Sequence, residues 1–180
     1  MGTWNSRGLR GSVLEETINR TIAHLRDKGL ALIQKIPTPI TPIEIDKTSR
    51  RITLAYFDKK STVDYLGAVQ GLPVCFDAKE CAEDTFPLKN IHPHQKAFME
   101  EFEGQGGIAF LIIYFSGRQE YYYMTCREMK GFFARMEEGG RKSIRLSELD
   151  PACFFEEKNN LLPIIESIQQ DLDNREEKDG

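Results

Sequence analysis

Long apolar runs are missing from this sequence of 180 residues. No stretch approaches the roughly 18 consecutive apolar residues of a membrane-spanning helix. The first residues, MGTWNSRGLRGS, lack the apolar segment of a secretory signal, and no second anchoring signal accompanies the initial Met-Gly. We therefore expect a cytoplasmic protein without a membrane partner.

Paired cysteines are also missing, since the four cysteines form no CxxC motif. In a reducing compartment, isolated cysteines behave as small buried hydrophobes. Cys75 and Cys81 together with His92 and His94 are a conceivable zinc set, but their spacing fits no usual zinc finger. A structural zinc site is therefore a remote alternative.

An overall basic charge, which many nucleic-acid-binding proteins carry, is absent as well: the net charge is −4. The distribution is uneven, however. Residues 1–60 carry eleven Lys and Arg against six Asp and Glu, whereas residues 156–180 carry three against eight. The first third of the chain is therefore the candidate surface for a polyanion.

The order of predicted elements is helix, strands, helix, strands, helix, with one more helix near the end. Ser12 and Glu15 form a capping-box pattern before the first helix. The run IAFLIIYF has the continuous apolar character of a buried strand, and QEYYYMTC is expected to pair with it. This order predicts one compact α/β domain, a mixed sheet with helices on both faces.

The stretch STVDYLGAVQGLPVCFDAKE, residues 61–80, carries the candidate site. A tight turn at Gln70-Gly71 would pair residues across the two strands so that Asp64 faces Asp77 and Thr62 faces Lys79. Two opposed carboxylates about 5 Å apart repel each other unless a cation neutralises them. Mg²⁺, or alternatively Mn²⁺, suits such oxygen ligands, and a neighbouring lysine suits phosphodiester hydrolysis.

From the residues alone, the alternative stays open that these charges lie on the solvated face of an ordinary hairpin. The strand register is also an assumption, because a slip of one residue reverses the faces of one strand. The short pattern D-x(12)-D-x-K therefore needs support from the rest of the chain.

The surrounding segments closely resemble the RecU-type Holliday junction resolvases, in order from about Leu14 to Leu149. The segments that carry the resemblance are KIPTPI (35–40), AYF (55–57), KSTVDYLG (60–67), FDAKE (76–80), FPLKNIHPHQ (86–95) and GRKSI (140–144). The resemblance implies a restriction-endonuclease-like fold: a mixed central β-sheet flanked by helices, with a protruding β-stalk. It also implies a Mg²⁺-dependent endonuclease that cuts four-way DNA junctions symmetrically in recombination and repair, leaving 5′-phosphates.

By the same resemblance, Lys79, Asp64 and Asp77 are the catalytic residues. Asp64 and Asp77 with Thr62 and Gln95 would fill the metal-site positions. Glu80 and Glu15 match two further acidic positions of the family. On a regular strand, however, Glu80 points away from Lys79, and its capping-box position explains Glu15 equally well.

The resemblance further implies a homodimer whose stalk, at about residues 37–54, inserts at the junction centre. Lys47, Arg50 and Arg51 lie at the predicted stalk tip, where they would contact phosphates; a solvated turn is the alternative for any one of them. We expect a nuclease domain over residues 1–155 and a C-terminal helix with an acidic tail over 156–180. The tail is expected to be disordered or to contact a recombinase or branch-migration protein.

Two alternative functions remain open from the sequence. One is a nuclease for other branched DNA, and the other is a noncatalytic protein that binds junctions or modulates a recombinase. The intact set of Asp64, Asp77 and Lys79 argues against the noncatalytic alternative.

Overall fold

The structure is a computed structural model and describes residues 13–57 and 62–179. Its helices are α1 (Val13–Asp27), α2 (Pro93–Gly104), α3 (Cys126–Glu137) and α4 (Ile164–Asp179). Its strands are β1 (Ala31–Lys35), β2 (Ile40–Asp46), β3 (Arg51–Phe57), β4 (Tyr65–Val69), β5 (Leu72–Cys81), β6 (Thr85–Pro87), β7 (Ile108–Phe115), β8 (Glu120–Thr125), β9 (Ser143–Arg145) and β10 (Phe154–Phe155). Within these residues, no helix is long and apolar enough to cross a membrane.

The central sheet has six strands in the order β1-β4-β5-β7-β8-β10. Strands β5 and β7 are parallel, and the other neighbouring pairs are antiparallel. A parallel pair needs a crossover connection, which α2 supplies between β5 and β7. The predicted mixed α/β sheet is therefore confirmed, and α2 begins beside the carboxyl end of β5.

Helices cover both faces of this sheet, as predicted. One apolar cluster joins strand residues to Met99 of α2 and to Met129 and Phe133 of α3. The other joins strand residues to α1 and to Ile168 of α4. Because side chains alternate along a strand, Cys75 lies on the α2 and α3 face, and Asp77 and Lys79 follow it on that side.

An aromatic row crosses the opposite face of the sheet. Tyr65, Phe76, Phe110 and Tyr123 stack in sequence, with ring centroids 4.7, 4.8 and 4.5 Å apart. These rings come from four neighbouring strands, so the row ties the strands that carry the candidate site to the centre of the fold.

Strands β2 and β3 form a separate two-stranded ribbon at the position of the predicted stalk. Ile52, Leu54 and Tyr56 alternate along β3 and share one side of it, and each is about half exposed, at 48%, 48% and 52%. The predicted basic turn lies at the ribbon tip, where Asp46 accepts a hydrogen bond of 2.9 Å from the Thr48 amide.

Two parts of the fold differ from the expectation. The segment after β5 contains a short strand that was not predicted, β6, which pairs with β9. Helix α4 begins at Ile164 and continues through Asp179, so it extends into the acidic tail that the sequence predicted to be disordered or to contact a partner. Ile164 and Ile168 are buried against the sheet and attach the first half of this acidic helix to the core.

Candidate active site

The hairpin of β4 and β5 has the predicted register. Tyr65 pairs with Phe76 and Val69 with Leu72, which leaves Gln70 and Gly71 as a two-residue turn. Both turn residues have positive φ, 48° and 88° respectively, as a type I′ turn requires. The turn and the alternation together place Asp64 opposite Asp77.

Asp64 and Asp77 are linked just beyond the last pair of the ladder. The Asp64 amide donates to Asp77 Oδ1 at 3.2 Å, and the Ala78 amide donates to Asp64 Oδ2 at 3.0 Å. Each carboxylate is thus held by a backbone amide of the other segment. The structure brings the two predicted acidic residues together at the carboxyl end of β5.

The Asp77 side chain is completely buried, at 0% exposure. Burial raises its pKa to about 7; the charge of Lys79 works against this shift, and the charge of Asp64 adds to it. Lys79 Nζ lies 2.5 Å from Asp77 Oδ2, yet that oxygen has no aligned hydrogen bond. Asp77 therefore presents a buried oxygen that is only partly compensated.

Gln95 connects the hairpin to α2. Its Nε2 donates to Asp77 Oδ1 at 2.8 Å, while its Oε1 accepts from Lys79 Nζ at 3.0 Å and from the His92 amide at 3.1 Å. Pro93 occupies the first turn of α2, so Gln95 sits where the helix amides face outward. Only the family resemblance pointed to Gln95, because it is 18 residues from Asp77 in sequence.

Thr62 lies outside the ladder, contrary to the prediction. The β4–β5 pairing ends at Tyr65 and Phe76, and Thr62 lies in a bend, exposed, two residues before Asp64. The expected pairing of Thr62 with Lys79 is therefore wrong, because the chain leaves the strand conformation before it reaches Thr62.

The two remaining acidic candidates lie at the margin of the site. Glu80 is exposed and follows Lys79 on the strand, so it points to the other side, as expected. Glu15 pairs with Lys35 at 2.5 Å. The pKa of Tyr65 is raised mainly by burial and further by the charges of Glu15, Asp64 and Asp77, so Glu15 shares the electrostatic environment of the site. Its predicted capping partner, Ser12, lies outside the described residues.

The donor set fits Mg²⁺ better than zinc. Across the described residues, no three His, Cys, Asp or Glu side chains are grouped closely enough to hold a metal. Mg²⁺ commonly uses one or two carboxylates and completes its shell with waters and phosphate oxygens, and the buried Asp77 Oδ2 beside Asp64 offers that arrangement. The conceivable zinc set of Cys75, Cys81, His92 and His94 forms no group that could hold a metal within the described residues.

The predicted DNA-contact residues lie at the ribbon tip, outside this cluster. Lys47 and Arg50 belong to the turn, Arg50 has a positive φ of 55°, and Arg51 begins β3. All three side chains are exposed. The ribbon therefore presents them to solvent, as the sequence predicted.

Comparison with known proteins places the chain among recombination proteins. The family model described as Recombination protein U matches residues 9–170. The Holliday junction resolvase RecU of Pediococcus pentosaceus is 38% identical over 173 residues, covering 93% of this chain and 86% of that protein. The protein of the same name from Geobacillus kaustophilus is 41% identical over 145 residues, covering 78% and 72%. A solved Holliday junction resolvase of Archaeoglobus fulgidus is 11% identical, covers 65% of this chain and 78% of its own, and has a TM-score of 0.40.

Proposed function

The chain belongs to the Recombination protein U family, RecU, and from that premise we propose that it is a Holliday junction resolvase: a structure-selective endonuclease that cuts four-way DNA junctions. The observation that carries the proposal is the cluster of Asp64, Asp77, Lys79 and Gln95 at the carboxyl end of β5. A cytoplasmic location and a role in recombination and repair belong to the same proposal.

Asp64 and Asp77 would hold Mg²⁺, or alternatively Mn²⁺, with Thr62 and Gln95 at the remaining positions. When bound there, the ion would polarise the scissile phosphate and activate a water. The Lys79 ammonium, 3.0 Å from Gln95 Oε1, would stabilise the negative charge that develops on the phosphate. Gln95 would keep Lys79 and Asp77 in their relative positions through its hydrogen bonds to both.

Water would attack the phosphorus in line with the bond to the 3′-oxygen, and the 3′-oxygen would leave. The cut would therefore produce a 5′-phosphate and a 3′-hydroxyl. Glu80 and Glu15 would act only at the margin. Glu80 points away from the cluster, and Glu15 is already paired with Lys35.

A homodimer is the proposed assembly. A lone two-stranded ribbon is marginally stable in water, and Ile52, Leu54 and Tyr56 of β3 remain about half exposed. Pairing with a second copy would bury them, and two sites related by a two-fold axis would cut opposing strands of a symmetric junction. Leu54→Glu should therefore shift the sedimentation coefficient toward the monomer, whereas Thr53→Glu, on the other side of the same strand, should not.

The ribbon tip would contact junction phosphates through Lys47, Arg50 and Arg51. Reversing Arg50 and Arg51 to Glu should weaken junction binding and flatten its dependence on salt. Unchanged binding would remove the tip from the interface. The acidic end of α4 would remain available to a recombinase or a branch-migration protein.

The decisive experiment is cleavage of a four-way junction in Mg²⁺, followed by single-turnover kinetics. We expect Asp77→Ala and Lys79→Ala each to lower the cleavage rate by at least about 10²-fold. The first removes a carboxylate that would hold the metal ion, and the second removes the ammonium that would stabilise charge on the phosphate. Glu80→Gln is the matched control on the same strand and should cut within about threefold of the wild type. Junction binding without cleavage by the wild type would favour the noncatalytic alternative. If linear duplex were cut as fast as the junction, the protein would still be a nuclease, but the resolvase assignment would be wrong.

A further inference from the structure

Two segments without any acidic residue lie next to the candidate active site. Residues 85–96 and 139–145 contain no Asp or Glu, although the whole chain carries 28 of them. The same segments contain five Lys and Arg: Lys89, Lys96, Arg141, Lys142 and Arg145. Positive charge is therefore concentrated locally in a chain that is acidic overall.

The fold brings the two segments together. Strand β6 pairs with β9 so that Pro87 faces Ser143, and the Leu88 amide donates to the Lys142 carbonyl at 3.1 Å. Phe86 and Ile144 of these strands are buried and anchor them to the core. Lys89 consequently lies beside the segment that carries Arg141 and Lys142. We name Lys89, Arg141 and Lys142 the 89–142 surface.

Neighbouring side chains hold this surface in place. The Arg135 guanidinium donates to the Ser143 carbonyl at 2.8 Å and forms an ion pair with Glu148. Glu148 also accepts a hydrogen bond from the Arg145 amide at 2.8 Å. This bond lowers the pKa of Glu148, and the nearby charge of Arg141 lowers it further. Because Arg135 already neutralises Glu148, this carboxylate leaves the positive potential of the surface largely intact.

The cations of the 89–142 surface are available to a ligand. Lys89, Arg141 and Lys142 are exposed, and none of the ion pairs within residues 13–57 and 62–179 includes them. Lys96, by contrast, pairs with Glu100 at 2.8 Å. Exposed cations without an internal partner are those that bind phosphates most readily.

The surface lies close to the candidate catalytic cluster. Lys89 is three residues before His92, whose amide donates to Gln95 Oε1. Three peptide units span at most about 11 Å. Because each strand of B-DNA carries one phosphate per roughly 3.4 Å of helix axis, that reach corresponds to about one to three nucleotides.

We propose that the 89–142 surface binds the DNA backbone within about three nucleotides of the cut and fixes the scissile strand over Asp77 and Lys79. This inference rests on the proposed endonuclease function and deepens it by naming a second phosphate contact, separate from the ribbon tip. Lys and Arg side chains would meet phosphates there without reading the base sequence.

The test compares Arg141→Gln/Lys142→Gln with Arg26→Gln/Lys28→Gln, which removes the same residue types. Arg26 and Lys28 are exposed at the far end of α1, roughly 16 Å along the helix axis from Glu15. Binding to a four-way junction and to one duplex arm is measured from 50 to 200 mM salt, with Ca²⁺ replacing Mg²⁺. We expect the first variant to lower the salt slope by about 1.8 and to lose about tenfold or more in affinity at 100 mM salt. Adding Lys89→Gln to this variant should lower the salt slope by about 0.9 more. The Arg26→Gln/Lys28→Gln control should have the slope and affinity of the wild type.

Ethylation interference locates the contact. Wild type and control should be blocked by ethylation of phosphates within about three nucleotides of the cut, and the 141/142 variant should lose that signal. Unchanged slope, affinity and interference in the variant, with normal cleavage by the wild type, would overturn the 89–142 surface while leaving the proposed function intact. A wild type that neither binds nor cuts the junction would overturn the proposed function and this inference with it.

Discussion

The carboxylate of Asp77 is fully buried beside a second carboxylate, and Lys79 offsets its charge only in part. Burying an incompletely compensated charge lowers stability. Gln95 lessens this cost, since its amide donates to one oxygen of Asp77 and accepts from Lys79. The three side chains therefore form one network in which the amide of Gln95 holds the two charged groups in place, and we propose that those two groups supply the chemistry.

Gln95→Ala tests this division of roles. The substitution leaves Asp77 and Lys79 in place but removes the group that holds them, so we expect single-turnover cleavage to fall by about 10- to 100-fold. Junction affinity in Ca²⁺ should change by less than about threefold, because Gln95 is only 7% exposed. Lys96→Gln is the control: Lys96 is the next residue of α2 and pairs with Glu100, so this variant should cut nearly as fast as the wild type. A parallel loss of affinity and rate in Gln95→Ala would instead make Gln95 a DNA contact.

Glu128 provides a second residue-scale prediction, remote from the site. Burial raises its pKa to about 7, and Tyr122 donates to its Oε1 at 2.7 Å. The unfolded chain ionises near pH 4.5, so unfolding releases a proton between these values and stability falls as the pH rises from about 4.5 to about 7. We expect Glu128→Gln, which keeps the acceptor for Tyr122, to lose this dependence.

The expected difference at pH 8 is about 1–3 kcal/mol in favour of the variant, with no more than a small difference at pH 4.5. The positive end of the α3 dipole stabilises the ionised Glu128 carboxylate, so we expect a value near the lower end of that range. Urea unfolding at several pH values measures the effect. Parallel pH profiles for the two proteins would show that Glu128 is already ionised in the fold.

Among the elements, the β4–β5 hairpin determines where the acidic residues lie. Gly71 has a φ of 88°, and a Cβ there would meet nothing within 4 Å. Gly71→Ala should therefore cost only the backbone penalty of about 1–2 kcal/mol. A Cβ at Gly67, in contrast, would lie 2.1 Å from the Leu32 carbonyl oxygen.

Gly67→Ala should accordingly destabilise the protein more than Gly71→Ala, because β1 must move away from β4. Thermal unfolding compares the two variants, and cleavage measured well below both transitions should be reduced more by Gly67→Ala. Equal losses of stability would show that the β1–β4 contact can relax without cost.

The hairpin also shows what sequence can predict. Alternation along the strands and the Gln-Gly turn were enough to place Asp64 opposite Asp77, since both signals are local. The short pair β6 and β9 was not predicted, because three-residue strands separated by more than fifty residues show no periodicity. Thr62 was misplaced for a related reason: pairing rules extend a strand, but they do not indicate where it ends.

At the scale of the whole molecule, α4 closes one face of the sheet. Its sequence is strongly acidic, yet Asp171 is 5% exposed and accepts a hydrogen bond from the Tyr123 hydroxyl at 3.1 Å. Arg175 then bridges Asp171 and Glu103 of α2, at 2.9 and 2.6 Å. Composition could not reveal this buried network, because a buried aspartate that anchors a helix and a solvated one are the same letter in the sequence.

Asp171→Ala should lower stability by about 2–4 kcal/mol, since it leaves the Tyr123 hydroxyl without its acceptor and removes one partner of Arg175. Asp173→Ala is the matched control. Asp173 is exposed on the same helix and accepts only a surface hydrogen bond from Gln169, so its loss should cost less than about 0.5 kcal/mol. Chemical unfolding of the full chain measures both. If the two variants were equally stable, α4 would be held by its apolar contacts alone, and the buried network would contribute orientation rather than stability.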